Sequence, residues 1–132
     1  MRIAAVQATP AFLNRSGTID IVLARLAEAA AGGAEIVAFP ETFIPGSPVW
    51  GSHSNSSSWE HPDQQGAFAW YLDQAVDLSG PEFGQIVSAV KDAGVFAYVG
   101  AVERSASRGS VYCSLVAIDP AQGMVSVHRK LK

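Results

Sequence analysis

The sequence predicts an α/β fold in one domain, and three observations support this prediction. Short, wholly apolar runs such as residues 36–39 are typical of buried strands. Between such runs lie longer stretches in which apolar residues recur every three or four positions, the spacing of amphipathic helices. The chain has 132 residues, which is enough for one domain with a hydrophobic core and too few to expect two.

The first part of the chain is predicted to form a strand, a helix and a second strand. Residues 2–7 indicate the first strand and residues 36–39 the second. Ser16 is suited to cap the helix, and Gly32-Gly33 ends it. The apolar face of this helix is formed by Ile19, Val22, Leu23, Leu26, Ala27 and Ala30. A strand–helix–strand order predicts a parallel strand pair.

A long loop is predicted for residues 42–63, which are rich in proline, glycine and serine. Trp50 and Trp59 favour a packed, site-forming loop, in which they line a substrate pocket; simple packing within the loop is an equally open alternative. His53 and His61 also lie here and could share a metal. Because no cysteine or histidine pair with ligand spacing accompanies them, surface or substrate-loop histidines are favoured, and no metal site is predicted.

The second half of the chain is predicted to contain two helices followed by three strands. The first helix is expected to turn four apolar residues inward: Phe68, Leu72, Ala75 and Val76. The second helix starts near Pro81 and ends at Gly94. The strands are expected at residues 95–102, 111–118 and 124–128. The turn-rich connection at 119–123 indicates a hairpin between the last two strands.

Composition and missing motifs exclude several classes of function. The net charge is −3 with no basic patch, so nucleic acid is not an expected partner. No run is long enough for a signal peptide or a membrane span, and a single cysteine forms no internal disulfide, which together predict a cytoplasmic protein. The sequence lacks a glycine-rich dinucleotide or phosphate loop and the Gly-x-Ser-x-Gly elbow of serine hydrolases.

Two ionisable residues follow predicted strands closely. Glu41 comes after the strand at 36–39, and Lys130 comes after the last strand. In α/β sheets, functional groups gather at the carboxyl ends of strands, so both side chains reach one crevice if their strands run in the same direction. A carboxylate and an ammonium placed together can exchange a proton with a nucleophile or a substrate. A plain ion pair, or two independent surface charges, is the alternative.

Cys113 is the only thiol and therefore the first residue to consider as a nucleophile. It lies in the middle of a predicted strand, on the same face as Val111, Leu115 and Ala117. A cysteine in such a position usually behaves as a small buried hydrophobic residue with a raised pKa and little reactivity. Cys113 is therefore not predicted to be the nucleophile.

Four segments together resemble the nitrilase branch of the carbon–nitrogen hydrolase superfamily. They are RIAAVQATP at the start, FPETFIPGSPVW at 39–50, GAVER at 100–104 with VYCSLVAID behind it, and the closing HRKLK. They follow the family's order and span the whole chain. The resemblance implies a four-layer αββα sandwich, of which this chain supplies the N-terminal part with about three helices and five strands.

The resemblance also implies roles for individual residues. Members of the family use a Glu–Lys–Cys triad; Glu41 matches the general base, and Lys130 matches the lysine that stabilises the tetrahedral intermediate, with Lys132 as the second choice. Cys113 lies where the family commonly has asparagine. The family's nucleophilic cysteine follows a further strand, so residues 1–132 are expected to be a partial domain that ends before it and is inactive alone.

The expected function of the full-length protein is hydrolysis of a nitrile to a carboxylic acid and ammonia through a cysteine thioimidate, without metal or organic cofactor. An amidase or N-carbamoyl amidohydrolase of the same superfamily, and a non-catalytic α/β binding module, remain open alternatives. The expected partners are a small nitrile or amide substrate and, since members of the family commonly associate, further copies in a homo-oligomer. The apolar fraction of 48% agrees with a sheet whose second face lacks its covering strands.

Overall fold

A computed structural model describes residues 1–50, 61–107 and 109–131, and within them it contains three helices and five strands. The helices are α1 (Arg15–Ala31), α2 (Pro62–Asp73) and α3 (Pro81–Ala93). The strands are β1 (Ile3–Ala5), β2 (Ile36–Ala38), β3 (Phe96–Arg104), β4 (Val111–Asp119) and β5 (Gly123–Arg129). The predicted α/β fold class is confirmed.

The five strands form one sheet whose spatial order, β1-β2-β3-β4-β5, follows the order in the chain. Strands β1, β2 and β3 are parallel, whereas β3, β4 and β5 form an antiparallel meander. Two reversals of direction leave β5 running the same way as β2. The carboxyl ends of β2 and β5 therefore lie at the same end of the sheet, which is the condition under which the residues following them can meet.

One face of the sheet is covered by α1 and α3, and their apolar stripes form the main core with the strands. The buried residues of this layer include Ile19, Val22, Leu26, Phe83, Ile86 and Val90. The cap of α1 differs from the prediction, because the Asn14 side chain, not Ser16, accepts a hydrogen bond from the Gly17 N–H at 3.0 Å. The ends of α3 are as predicted: Pro81 lies in its first turn and Gly94 follows it with φ of 65°.

The inward face of α2 was only partly predicted. Phe68 is 50% exposed, and the buried aromatic residue of this helix is Tyr71. Tyr71 packs with Ala75 and Val102 in a second, smaller cluster at the end of the sheet. Because residues 67–72 are all apolar or aromatic, helical periodicity alone does not identify which of them faces the core.

The face of the sheet opposite α1 and α3 carries exposed apolar side chains. Paired residues in neighbouring strands share a face, which places Ile3, Tyr98 and Leu115 together on this side. They are 59%, 37% and 41% exposed. This is the face that the resemblance expects to be packed against the second sheet of a sandwich. No helix within the described residues is both long and apolar enough to cross a membrane.

Candidate active site

Glu41 and Lys130 lie together at the carboxyl end of the sheet. The Lys130 Nζ donates a hydrogen bond to Glu41 Oε1 at 2.8 Å, although 89 positions separate the two residues in the chain. Both side chains are 61% exposed. Since β3 and β4 lie between the strands that the two residues follow, this contact requires one of the two segments to cross the sheet.

The crossing is made by the segment after β2, which passes over Gly100 of β3. The segment leaves the line of β2 at Pro40, and the Ile44 N–H donates to the Gly100 carbonyl at 3.3 Å, where the chain rejoins β3. A Cβ atom on Gly100 would lie 2.0 Å from the Pro40 oxygen and 2.9 Å from the Glu41 Cα. Thr42 adopts a left-handed φ of 50°, which turns the chain back. Glycine is thus what allows Glu41 to reach β4.

Lys130 is directed to the same place by the pairing of β5 with β4. Its N–H donates to the Cys113 carbonyl at 2.8 Å. The preceding residue, Arg129, points to the opposite face, where its guanidinium donates two hydrogen bonds to Glu103, at 2.7 and 2.9 Å. Ser114 donates a third to the same carboxylate at 2.7 Å. Because side chains alternate along a strand, anchoring Arg129 on one face directs Lys130 to the other.

We expect Arg129→Met to lower the melting temperature by several degrees, because the Glu103 side chain is only 9% exposed and would lose two charged donors. Thermal unfolding followed by circular dichroism checks this. The control is Arg129→Met combined with Glu103→Gln, which removes the uncompensated charge and should recover much of the loss. Equal destabilisation of the single and double variants would contradict the account.

Cys113 is part of this site. The prediction that it is buried is wrong, whereas the predicted rise in its pKa is confirmed. Its side chain is half-buried, and its Sγ lies 3.3 Å from Glu41 Oε1, to which the thiol donates a hydrogen bond. It does share a face with Leu115, but that is the uncovered face of the sheet. Alternation along β4 identifies which residues share a face; it does not show which face the helices cover.

The three groups influence one another's pKa values. The hydrogen bond from Lys130, followed by the one from Cys113, lowers the pKa of Glu41. The Glu41 carboxylate raises the pKa of Lys130. Burial is the largest cause that raises the pKa of the Cys113 thiol, and Glu41 raises it further. At neutral pH the site therefore holds a carboxylate, an ammonium and a protonated thiol, and the carboxylate is able to accept a proton.

A cleft of about 550 Å³ opens beside these groups. It is lined by Glu41, Thr42, Ser47, Pro48, Tyr71, Val102, Val111, Tyr112, Cys113 and Lys130. Burial raises the pKa of Tyr71 to about 12, so its hydroxyl stays neutral. The chain thus combines a cleft large enough for a small organic molecule with an acid–base pair at its wall.

The sequence model of the carbon-nitrogen hydrolase family matches residues 2–132. The chain belongs to this family. Among its relatives, a nitrilase from Bradyrhizobium diazoefficiens is 40% identical over 109 residues, which are 82% of this chain and 33% of that protein. A nitrilase from Pseudomonas syringae pv. syringae is 35% identical over 132 residues, all of this chain and 37% of that protein. The chain thus spans about a third of the length of these relatives.

The fold of this carbon-nitrogen hydrolase chain is also found in solved structures. One of them is a mutant of the amidase from Nesterenkonia sp. AN1 in complex with butyramide. It superposes with a TM-score of 0.70 at 17% sequence identity, over 100% of this chain and 43% of that one. At this identity the match shows the shared fold alone.

Of the other residues considered for the site of this family member, Trp50 and His61 lie in the described part of the chain. Trp50 packs edge-on against Tyr71, with ring centroids 5.3 Å apart, and so supports a residue of the cleft wall. Trp59, His53 and the second-choice Lys132 lie outside the described residues. His61 is 54% exposed, with its Nδ1 3.9 Å from the carboxylate of Asp63. The sequence does not predict Tyr71 as a site residue, because nothing in the pattern of an apolar helix distinguishes an aromatic residue that lines a cleft from one that packs in the core.

Proposed function

We propose that residues 1–132 are the N-terminal part of a nitrilase-type hydrolase, which converts a nitrile to a carboxylic acid and ammonia. The observation that carries this proposal is the 2.8 Å contact between Lys130 Nζ and Glu41 Oε1 at the wall of a cleft, in a chain of the carbon-nitrogen hydrolase family. Nitrilases among the relatives of this chain support the choice of nitriles over other carbon–nitrogen compounds.

In the proposed reaction Glu41 is the general base and takes the proton of a cysteine thiol, which the resemblance places C-terminal to Lys130. The sulfur attacks the nitrile carbon to form a thioimidate. One water adds to the thioimidate, ammonia leaves, and a second water releases the carboxylic acid and restores the thiol. The Lys130 ammonium stabilises the negative charge that develops in the tetrahedral intermediates.

Glu41 has the properties that this role requires. The hydrogen bond from Lys130 lowers its pKa, which keeps the carboxylate ionised at neutral pH but makes it a weaker base, so proton transfer from the thiol depends on how closely the two groups are positioned. Its side chain is 61% exposed, so a nucleophile carried by a neighbouring segment can approach it. Since the nucleophile is supplied from outside residues 1–132 in this proposal, these residues alone are expected to show no turnover.

An amidase is the second candidate, because the same triad hydrolyses amides and the fold match includes an amidase in complex with butyramide. The difference between the two is the substrate pocket, to which residues 1–132 contribute only one part. A non-catalytic binding module is the third candidate and is the only one that predicts no turnover in the full-length protein.

The test is a substrate profile of the full-length protein with matched pairs, such as phenylacetonitrile and phenylacetamide. We expect equal amounts of ammonia and phenylacetic acid from the nitrile, and at most slow release from the amide. Ammonia is measured by a coupled enzymatic assay and the acid by chromatography. Hydrolysis of the amide alone would indicate an amidase. If neither the nitrile nor the amide is hydrolysed, in aliphatic as well as aromatic pairs, the result would indicate a binding module.

We further propose that the full-length protein is a cytoplasmic homo-oligomer. The proposal follows from the family resemblance, since members of the family commonly associate; the exposed residues Ile3, Tyr98 and Leu115 are instead expected to be covered by the second sheet of the same domain. Light scattering coupled to size-exclusion chromatography measures the oligomeric state, and a monomeric mass would contradict the proposal.

A further inference from the structure

The proposed function assigns roles to Glu41 and Lys130 and leaves Cys113 without one, although its thiol contacts the same carboxylate. We propose that Cys113 is a positioning residue: together with Lys130 it holds Glu41 Oε1, so that Oε2 is the oxygen that accepts the proton of the nucleophile. This inference rests on the proposed function, since it concerns the orientation of the general base.

The hydrogen bonds at the carboxylate are unevenly distributed. Lys130 Nζ donates to Oε1 at 2.8 Å and Cys113 Sγ donates to the same oxygen at 3.3 Å. In the part of the chain that the structure describes, no donor reaches Oε2 of Glu41. A carboxylate fixed through one oxygen keeps the other available, and the geometry therefore assigns proton transfer to Oε2.

Two donors from different strands fix the carboxylate better than either alone. Cys113 lies on β4 and Lys130 directly follows β5, and the Lys130 N–H bonds the Cys113 carbonyl at 2.8 Å. They are thus a cross-strand pair on one face, at a spacing set by the backbone. Glu41 comes from a separate segment, and its side chain is 61% exposed. Without these two contacts the side chain would be free to adopt several rotamers, and the entropy cost of fixing it would fall on the reaction step.

The thiol is suited to donate throughout the working pH range. Burial and then the Glu41 carboxylate raise the pKa of Cys113, which keeps the S–H protonated at neutral pH. The titratable groups facing it are Glu41 from the crossing segment, Lys130 after β5 and Tyr71 from α2. Tyr71, with a pKa of about 12, stays neutral. Glu41 and Lys130 are therefore the charges that set the behaviour of the thiol.

The kinetic test compares Cys113→Ala with Cys113→Ser in the full-length protein. Removing the thiol removes one of the donors that lower the pKa of Glu41, so its pKa rises. A base is lost as pH falls through its pKa; the acid limb of the kcat/KM profile should therefore move to higher pH in Cys113→Ala. Serine retains a donor and should keep the limb near its original position. A role in packing alone would lower activity at every pH without moving the limb.

A second measurement does not depend on turnover. The full-length protein is alkylated with iodoacetamide across a pH series, and mass spectrometry of the peptide that contains Cys113 gives its rate. The midpoint of that rate profile should move to lower pH in Glu41→Gln, which removes the carboxylate, and to higher pH in Lys130→Met, because Lys130 lowers the pKa of the thiol.

The outcomes separate this inference from the proposed function. An unchanged alkylation profile in Glu41→Gln, or an unmoved acid limb in Cys113→Ala, would overturn the positioning role. Turnover by residues 1–132 that is abolished by Cys113→Ser would identify Cys113 as a nucleophile and also overturn it. Shifted alkylation together with full activity of Glu41→Gln would show that the contact exists and that the proposed function is wrong.

Discussion

Glu41→Gln in the full-length protein is expected to lower kcat by about 10²- to 10⁴-fold, the usual contribution of a positioned general base. Glutamine has the shape of glutamate, and its carbonyl can still accept the hydrogen bond from Lys130. It cannot take the proton of a thiol near neutral pH, so the nucleophile stays protonated. Because the side chain is 61% exposed, the change is expected to leave the melting temperature nearly unaltered.

The measurement is steady-state ammonia release, with thermal unfolding of the same preparation as the test of folding. Glu28→Gln is a matched control, because it removes an exposed carboxylate of α1 that is paired with Arg25 and lies outside the cleft. The control should retain full turnover. Activity of Glu41→Gln equal to that of the control would remove Glu41 from the mechanism.

Gly100→Ala is expected to reduce both activity and stability, although alanine adds only one methyl group. The new Cβ would lie 2.0 Å from the Pro40 oxygen and 2.7 Å from the Pro40 carbonyl carbon, which are backbone atoms without rotamers to adopt. The crossing segment must shift, and the contact between Glu41 and Lys130 would be displaced with it. A misplacement of about 1 Å costs on the order of 10²-fold in rate, and overpacking of this kind costs about 1–3 kcal/mol in stability.

The effect at Gly100 is steric, because its φ lies outside the left-handed region in which glycine is favoured. Gly84→Ala on α3 is the matched control, since a Cβ there would meet no atom within 4 Å apart from the neighbouring backbone of its own helix. It should stabilise the protein by about 0.5–1 kcal/mol, because alanine favours helix more than glycine does. Urea denaturation and ammonia release measure both variants. Wild-type behaviour of Gly100→Ala would show that Pro40 does not pack on β3.

Local signals predicted most elements of the fold. Pro81 and Gly94 bracket α3 as expected, because both act through the backbone of a few neighbouring residues. The apolar runs of the second half became β3, β4 and β5, and the connection at 119–123 became a hairpin. The cap of α1 was misassigned to Ser16 because Asn14, two positions earlier, is equally suited to the role.

What the sequence by itself determined is that Glu41 and Lys130 each come shortly after a strand, in segments that resemble one hydrolase family. Only the tertiary structure decided that these residues touch, that the crossing over Gly100 makes the contact possible, and that Cys113 faces the same carboxylate. The reason is physical. Strand positions depend on neighbours in the chain, whereas the covered face of a sheet and the path across it depend on packing between residues far apart in sequence.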